Sequence, residues 1–140
     1  MKLKQLHEDS KKQGYIDNID IATTENNNFR EVLYTSDNLQ LVVMSINAGE
    51  DIGEETHKSS DQFIRIEEGT GKVIINGATT KIKADSAFII PKGSKHNIIN
   101  TGSKPLKLYS IYSPPHHADG IVDKTKNSAK HTSFDGKTTE

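Results

Sequence analysis

Between residues 39 and 113 the sequence consists of short runs of Val, Ile, Leu and Phe, separated by clusters of Gly, Pro, Asn and Ser. Such runs are typical of β-strands, and the turn residues recur too often for long helices. Asn76-Gly77 predicts a two-residue hairpin turn, and Pro91 ends a strand because proline cannot donate to a sheet ladder. About eight strands at this spacing predict an all-β, antiparallel sandwich or barrel, and no segment carries a convincing helical period.

The segment 39–46 is apolar on both faces of the strand that it is expected to form. Leu39, Leu41 and Val43 share one face of this strand, and Val42, Met44 and Ile46 share the other, so the side chains on both faces are apolar. Each face of such a strand needs a cover, which is either another sheet or another subunit. In the last strand, Tyr109 and Ile111 lie on the face that points away from the site. Because these outward faces are apolar, we expect a homodimer formed through the barrel sheets.

The two ends of the chain are polar and differ from the centre. Residues 1–28 are weakly patterned and form a polar extension, which could hold a short helix or an added strand. Residues 29–113 are expected to form the barrel, and residues 114–140 a C-terminal segment. From about residue 123 the only apolar side chains are Ala129 and Phe134. Because burial there cannot offset the entropy of ordering, we expect this part to be mobile.

Composition excludes several classes of function. The 140 residues suit one domain with a real core, and the formal net charge of −1 gives no basic field for nucleic acid or an anionic membrane. The absence of cysteine excludes disulfides, thiolate metal sites and cysteine nucleophiles. The N-terminus reaches Glu8 and Asp9 before any apolar run develops, so we expect no signal peptide and a cytoplasmic protein.

Four side chains are candidates for a metal site. Glu55 and His57 are two residues apart, so on a strand they project to the same face. Gln62 begins the next predicted strand, and His96 begins another after the Pro91-x-Gly93 turn. If the strands close into a barrel, all four side chains can converge in one mouth. Two imidazoles and a carboxylate with open positions resemble the ligand set of non-haem iron proteins.

The same residues lie in stretches that resemble the two motifs of the cupin superfamily. The first motif is Gly, five residues, His-x-His, three or four residues, Glu, six residues, Gly, and the chain follows its spacing from Gly49 to Gly69. The second is Gly, five residues, Pro-x-Gly-x-x-His, three residues, Asn, and the chain matches it up to Asn100 except that Asp85 replaces the opening Gly. The resemblance covers roughly residues 40–113 and implies a double-stranded β-helix, that is, a jelly-roll-like barrel.

The departures from the first motif concern its ligands. Glu55 stands where the family usually has its first His, and Gln62 where it has its Glu. The ligand charge stays at −1, so the carboxylate has moved rather than vanished, and we expect a bound divalent transition metal. The amide oxygen of Gln62 favours Mn, Fe or Ni in octahedral geometry over tetrahedral Zn. Such substitutions are also how cupins lose their metal, and His57 and His96 could instead be ordinary buried histidines.

The remaining histidines have weaker interpretations. His116 and His117 are adjacent, and on an extended chain adjacent side chains diverge, so they do not read as a ligand pair. One of them could cap the barrel mouth, or both could simply be exposed. His7 and His131 lie in the polar ends, and we expect no role for either.

Two functions follow from these residues and the resemblance. The first is a small metal-binding cupin, an enzyme acting on a small oxygen-bearing molecule of the sugar or carboxylate class, as an isomerase or oxygenase. The second is a non-catalytic module that binds a small ligand or has a regulatory role, with a structural metal or none. The chain also resembles the group called mannose-6-phosphate-isomerase-like cupins, a label that reports likeness of fold rather than a reaction.

Overall fold

The computed structural model describes residues 11–130 and 132–140 as one short helix and ten strands. The elements are α1 Ile19–Thr24, β1 Arg30–Thr35, β2 Gln40–Ile46, β3 Glu55–Thr56, β4 Asp61–Glu68, β5 Thr70–Ile75, β6 Ala78–Lys83, β7 Ala87–Ile90, β8 Lys95–Asn100, β9 Leu106–Ser113 and β10 Val122–Asp123. Among these residues no helix has the length and apolar character to cross a membrane.

The strands form two antiparallel sheets. The larger has the order β10-β1-β2-β9-β4-β7 and the smaller the order β3-β8-β5-β6. Asn76-Gly77 makes the hairpin between β5 and β6, where both residues have positive φ. The predicted all-β, antiparallel jelly-roll fold is confirmed, with β10 contributed by the C-terminal segment.

The core lies between the two sheets, because alternate residues of each strand face inward. On the larger sheet it is built from β2, β4 and β9, whose inward side chains are paired in register and almost fully buried: Val42, Met44, Ile46, Ile64, Ile66, Leu106 and Leu108. The same parity continues to Gln40, Gln62 and Tyr112 at one end of these strands, where polar groups replace aliphatic ones. This end holds the candidate site.

A short helix covers part of the outer face of β2. Asn18 caps α1, with its Oδ1 accepting a hydrogen bond from the Ile21 amide at 3.0 Å. Beyond the helix, Asn26 accepts a hydrogen bond from the buried ammonium group of Lys107 through its backbone carbonyl. Val43, on the outward parity of β2, is 1% exposed. One apolar face of β2 is thus partly covered from within the chain, by a helix that the hydrophobic pattern did not identify.

The C-terminal segment runs back along the barrel. Asp123 in β10 is buried and forms an ion pair with Arg30 at 3.5 Å. The Phe134 amide donates to the His116 carbonyl, and the Thr139 amide donates to the Thr35 carbonyl, each at 2.9 Å. Mobility from about residue 123 stays a prediction, and these contacts argue against it. His7 and His131, for which no role was expected, lie outside the described residues.

Candidate metal centre

Three of the four predicted ligands lie together at the end of the barrel. Glu55 in β3 and His96 in β8 are directly paired across the smaller sheet, and His57 follows β3 immediately. The Glu55 Oε1 and His57 Nε2 atoms are 3.1 Å apart. One potential ligand atom from each of the three residues lies within 4.8 Å of the other two. The spacing that placed Glu55 and His57 on one face therefore agrees with the structure.

His96 has its ring oriented by the backbone. Its Nδ1 lies 2.9 Å from the Ser94 carbonyl oxygen, which can only accept, so Nδ1 carries the proton. Nε2 then presents a lone pair, and it is buried without a hydrogen-bond partner. Burial lowers the pKa of His96, with the Ser94 carbonyl opposing this, so the ring favours its neutral form. A neutral imidazole fixed through its second nitrogen is the usual form of a metal-bound histidine.

Glu55 is held as a carboxylate by its neighbours. Burial alone would raise the pKa of Glu55, but the hydrogen bond to His57 and the charges of His57, Arg30 and His96 outweigh it, so the pKa lies below its ordinary value. The carboxylate is 28% exposed, whereas His57 is 5% exposed. The site thus has one anionic oxygen at its open side and imidazole nitrogens deeper in the barrel.

Gln62 lies on the inward face of β4, as predicted. Its Nε2 donates to the Ser110 and Tyr112 hydroxyl oxygens, both at 3.1 Å, and Tyr112 packs edge-on against His57 at 5.4 Å between ring centroids. With the amide nitrogen engaged twice, Oε1 of Gln62 remains buried without a partner. Gln62 therefore lies beside Tyr112, which in turn contacts His57, and the Gln62 oxygen, the ligating atom of an amide, has no hydrogen bond.

The free atoms of the cluster fit a transition metal. Gln62 Oε1 and His96 Nε2 are both buried without hydrogen bonds, a costly arrangement unless a ligand binds them. The separation of 3.1 Å between Glu55 Oε1 and His57 Nε2 suits two atoms on one ion. Adjacent ligands with bonds of about 2.1 Å lie roughly 3 Å apart in octahedral geometry.

His116 and His117 both lie at the site, so the alternative in which both are simply exposed is wrong. The His116 ring lies 4.1 Å from the His57 ring and stacks on Tyr112 at 5.2 Å, while the His117 ring meets Tyr112 edge-on at 5.2 Å. Burial, helped by the charge of His57, lowers the pKa of His116 to about 4. The expectation that these adjacent side chains diverge is wrong: the two ring centroids are 4.7 Å apart in an edge-on contact, and both rings pack against Tyr112.

Gln40 holds the backbone of this histidine pair. Its Oε1 accepts hydrogen bonds from the His116 and His117 amides at 3.1 and 2.9 Å, and its Nε2 donates to the His117 carbonyl at 2.8 Å. Gln40 is fully buried. Gln40 begins an apolar strand and is two residues from the inward-facing Val42. This spacing is the sequence signal that could have identified Gln40 as a polar group facing inward.

The burial of His117 makes the stability of the protein depend on pH. Burial, with the charge of Arg30, lowers the pKa of His117 to about 2, against about 6.5 in an unfolded chain. Between these values the unfolded state binds the extra proton, so stability is complete above pH 6.5 and falls as pH decreases. From pH 7.5 to 5 we expect a loss on the order of 2 kcal/mol from this residue.

The check is thermal unfolding at both pH values. His117→Phe removes the titrating ring and keeps an aromatic side chain, so its melting temperature should fall several degrees less than that of the wild type. Because burial also lowers the pKa of His116, His116→Phe should reduce the pH dependence as well, and the His116→Phe/His117→Phe double variant should show the least. Equal pH dependence in wild type and His117→Phe would contradict the prediction.

Comparison with known proteins agrees with the fold and places the chain in a family. Residues 42–112 match the cupin domain family. The chain is 46% identical over 121 residues to the uncharacterized protein YrkC of Bacillus subtilis, covering 82% of this chain and 65% of that protein. It is 41% identical to the uncharacterized protein L612 of Acanthamoeba polyphaga mimivirus, covering 79% of this chain and 72% of that protein.

A solved structure supports the same assignment. The crystal structure of BH2720 from Bacillus halodurans superposes with a TM-score of 0.80 at 46% identity, covering 82% of this chain and 92% of that chain. The match to YrkC leaves about a third of that relative's own length unaligned. The family assignment therefore rests on the barrel and its ligand-bearing strands, and on that ground this chain belongs to the cupin family.

Proposed function

We propose that this protein binds one divalent transition metal inside its barrel and acts there, as an enzyme, on a small oxygen-bearing molecule of the sugar or carboxylate class. Glu55, His57 and His96 would hold the ion, with the Oε1 atom of Gln62 as a fourth ligand. The observation that supports this most is that one potential ligand atom from each of Glu55, His57 and His96 lies within 4.8 Å of the other two. The Nε2 atom of His96 is also buried without a hydrogen-bond partner, and an ion would satisfy it.

The donor set narrows the choice of metal. One carboxylate, one amide oxygen and two imidazoles form a mixed oxygen and nitrogen set without sulfur, which suits Mn, Fe or Ni with open positions better than Zn. When bound, such an ion supplies Lewis acidity, or a place where dioxygen and substrate meet.

The chain's own residues prepare the site around the ion. The Ser94 carbonyl fixes the orientation of His96, and the Ser110 and Tyr112 hydroxyls hold the amide of Gln62. Tyr112 is 2% exposed, and burial raises the pKa of its phenol, which stays protonated. The wall beside the ligands is therefore buried and uncharged, and its two hydroxyl oxygens accept the hydrogen bonds of the Gln62 amide.

The test is metal content after chelation and separate reloading with Mn, Fe, Ni and Zn. We expect one ion per chain on reloading with Mn, Fe or Ni, and a substrate screen would follow on the loaded protein. Wild-type protein that remains folded but stays empty with every ion would contradict the proposal.

A non-catalytic binding module is the second candidate, and one contact favours it. The hydrogen-bond distance between Glu55 and His57 lets two proposed ligands satisfy each other without an ion. In that case the barrel would hold a small ligand or have a regulatory role. The metal-content measurement separates the two candidates directly.

We also propose that the protein is a homodimer through the outer face of the larger sheet. Four apolar side chains lie side by side across this face, each in register with the next: Leu41, Ile111, Phe63 and Ile89. Ile89 is 62% exposed although it ends an apolar row. A second copy of the same row is a self-complementary cover for it.

Ile89→Glu should convert the dimer to a monomer, because a charge at the interface would lose its hydration. Light scattering at micromolar concentration gives the mass. Ile21→Glu is the matched control, since Ile21 is also exposed, at 47%, but lies on α1. A monomeric wild type would contradict the prediction.

Cytoplasmic localisation and the absence of nucleic-acid partners stay predictions.

A further inference from the structure

Arg30 is a buried cation inside the barrel that the hydrophobic pattern did not single out. It begins β1, is 5% exposed, and is paired in register with Met44 of β2, whose side chain lies in the core. Val32, two residues on, also belongs to the core. The guanidinium group of Arg30 is therefore on the inward face of the larger sheet, the face that carries Gln40 and Tyr112 further along.

The hydrogen-bonding capacity of this guanidinium group is unused. Arginine has five N–H donors, and within residues 11–130 and 132–140 none of those of Arg30 makes a hydrogen bond; its Nε is wholly buried. The ion pair with Asp123 is loose, with 3.5 Å between Nη1 and Oδ2, and that Oδ2 atom also lacks a hydrogen bond. A buried ion pair usually persists only when further hydrogen bonds satisfy it.

The interior of one barrel contains both Arg30 and the proposed ligands. Arg30 is paired with Met44, and the inward face of β2 leads from Met44 through Val42 to Gln40, at the end that holds the site. The charge of Arg30 also helps burial to lower the pKa of His117, whose ring contacts Tyr112 at that end.

We infer that Arg30 is an anchor for the carboxylate of a small substrate, and that the substrate's other oxygen atoms reach the metal held by Glu55, His57 and His96. This inference rests on the proposed function and names the carboxylate branch of the substrate class. A planar carboxylate fits the guanidinium fork with two parallel hydrogen bonds, which would satisfy donors that the protein leaves free.

Charge favours a carboxylate over a phosphate at this position. Arg30 brings one positive charge, and Asp123 already offsets part of it. Among residues 11–130 and 132–140 the other buried lysine or arginine is Lys107, and its ammonium group is bonded to Asn26 and Asn27. A carboxylate, with one negative charge, therefore matches the partly offset positive charge of Arg30 better than a doubly charged phosphate does.

The experiment measures binding of malonate to manganese-loaded and metal-free protein by titration calorimetry, with malonamide and inorganic phosphate as comparison probes. Malonate should bind more tightly than phosphate, and malonamide should bind at least tenfold more weakly than malonate. Arg30→Met should weaken malonate binding by about 10- to 100-fold, the effect of losing a charge-assisted contact. Arg65→Met, at a partly exposed arginine paired with Asp85, is the matched control and should leave binding unchanged.

Two further variants keep the inference testable if Arg30→Met folds poorly. Asp123→Asn removes the competing carboxylate and should strengthen malonate binding. The double variant Arg30→Met/Asp123→Leu removes the buried pair together, which commonly preserves folding, and should bind malonate as weakly as Arg30→Met. Equal malonate affinity in wild type and the double variant would overturn the inference.

Metal content measured on the same samples separates this inference from the proposed function. Normal metal loading with malonate affinity independent of Arg30 would overturn the anchor and leave the metal site standing. If no ion loads, the comparison is made on the metal-free protein, where affinity that depends on Arg30 supports the anchor and its absence overturns it. Tighter binding of phosphate than malonate would overturn the assignment of a carboxylate.

Discussion

Replacing Glu55 by Gln should lower the metal affinity at least about 100-fold. Glu55 is the anionic oxygen among residues whose ligating atoms converge, and the substitution exchanges it for a neutral amide of the same shape. Partners that only orient metal ligands already contribute 10- to 100-fold, so an anionic ligand itself should contribute more. The measurement is competition with a chelator of known affinity, using manganese or nickel.

The matched variant changes the charge at Gln62 in the opposite direction. Gln62→Glu keeps the side-chain length and adds a second carboxylate, which the Ser110 and Tyr112 hydroxyls can still contact as donors. Metal affinity should be retained or increased. If Gln62→Glu loses the metal while Glu55→Gln keeps it, the assignment of the charge to Glu55 is wrong.

The histidine variants separate loss of metal from loss of fold. His57→Ala and His96→Ala should each abolish binding. Neither ring belongs to the aliphatic core, so both variants should keep a cooperative thermal transition. An unfolded His96→Ala would mean that the ring has a structural role.

The part of the site that could be predicted depends on local geometry. Glu55 and His57 are two residues apart, and the period of a strand alone places them on one face. His96 follows a turn built by Pro91 and Gly93, in which Gly93 has a φ of 83° that other residues rarely adopt. Each inference needed only neighbouring residues, and the resemblance to the cupin motifs supplied the pairing between distant strands.

The histidine pair at 116–117 depends on contacts that no local rule reveals. Its backbone is held by Gln40, which is 76 and 77 residues away in the sequence. The sequence shows a polar residue on an inward parity and two adjacent histidines, but it does not show that one satisfies the backbone of the other. The sequence did not identify Arg30 for the same reason. Its partner Asp123 lies in the segment that was expected to be mobile because of its composition.

The polar ends of the chain show where an argument from composition reaches its limit. Mobility was predicted for the part from about residue 123 because few apolar side chains are available there for burial, yet the contacts that the structure shows at both ends are mainly polar. Lys107 reaches the backbone of Asn26, and Asp123 reaches Arg30. Such bonds depend on where a few polar groups meet, and hydropathy does not record this.

Deleting residues 123–140 should therefore lower the melting temperature by about 10 °C or more. The deletion removes Asp123 and leaves Arg30 as a buried charge without its partner. Breaking a buried pair in this way costs about 3–5 kcal/mol. For a chain of this size each kcal/mol corresponds to roughly 2–8 °C. The packing of Ala129 against the core is lost as well.

A shorter deletion, of residues 135–140, is the control. It keeps Asp123, the hydrogen bond from the Lys130 amide to Asp123, and the bond from the Phe134 amide to the His116 carbonyl. It should shift the melting temperature by only a few degrees, because no buried charge loses its partner. A shift of only one or two degrees for the longer deletion would mean that the segment is mobile, as its composition predicts. Arg30 would then be neutralised by something other than Asp123, and the carboxylate of a bound ligand would be the first group to test.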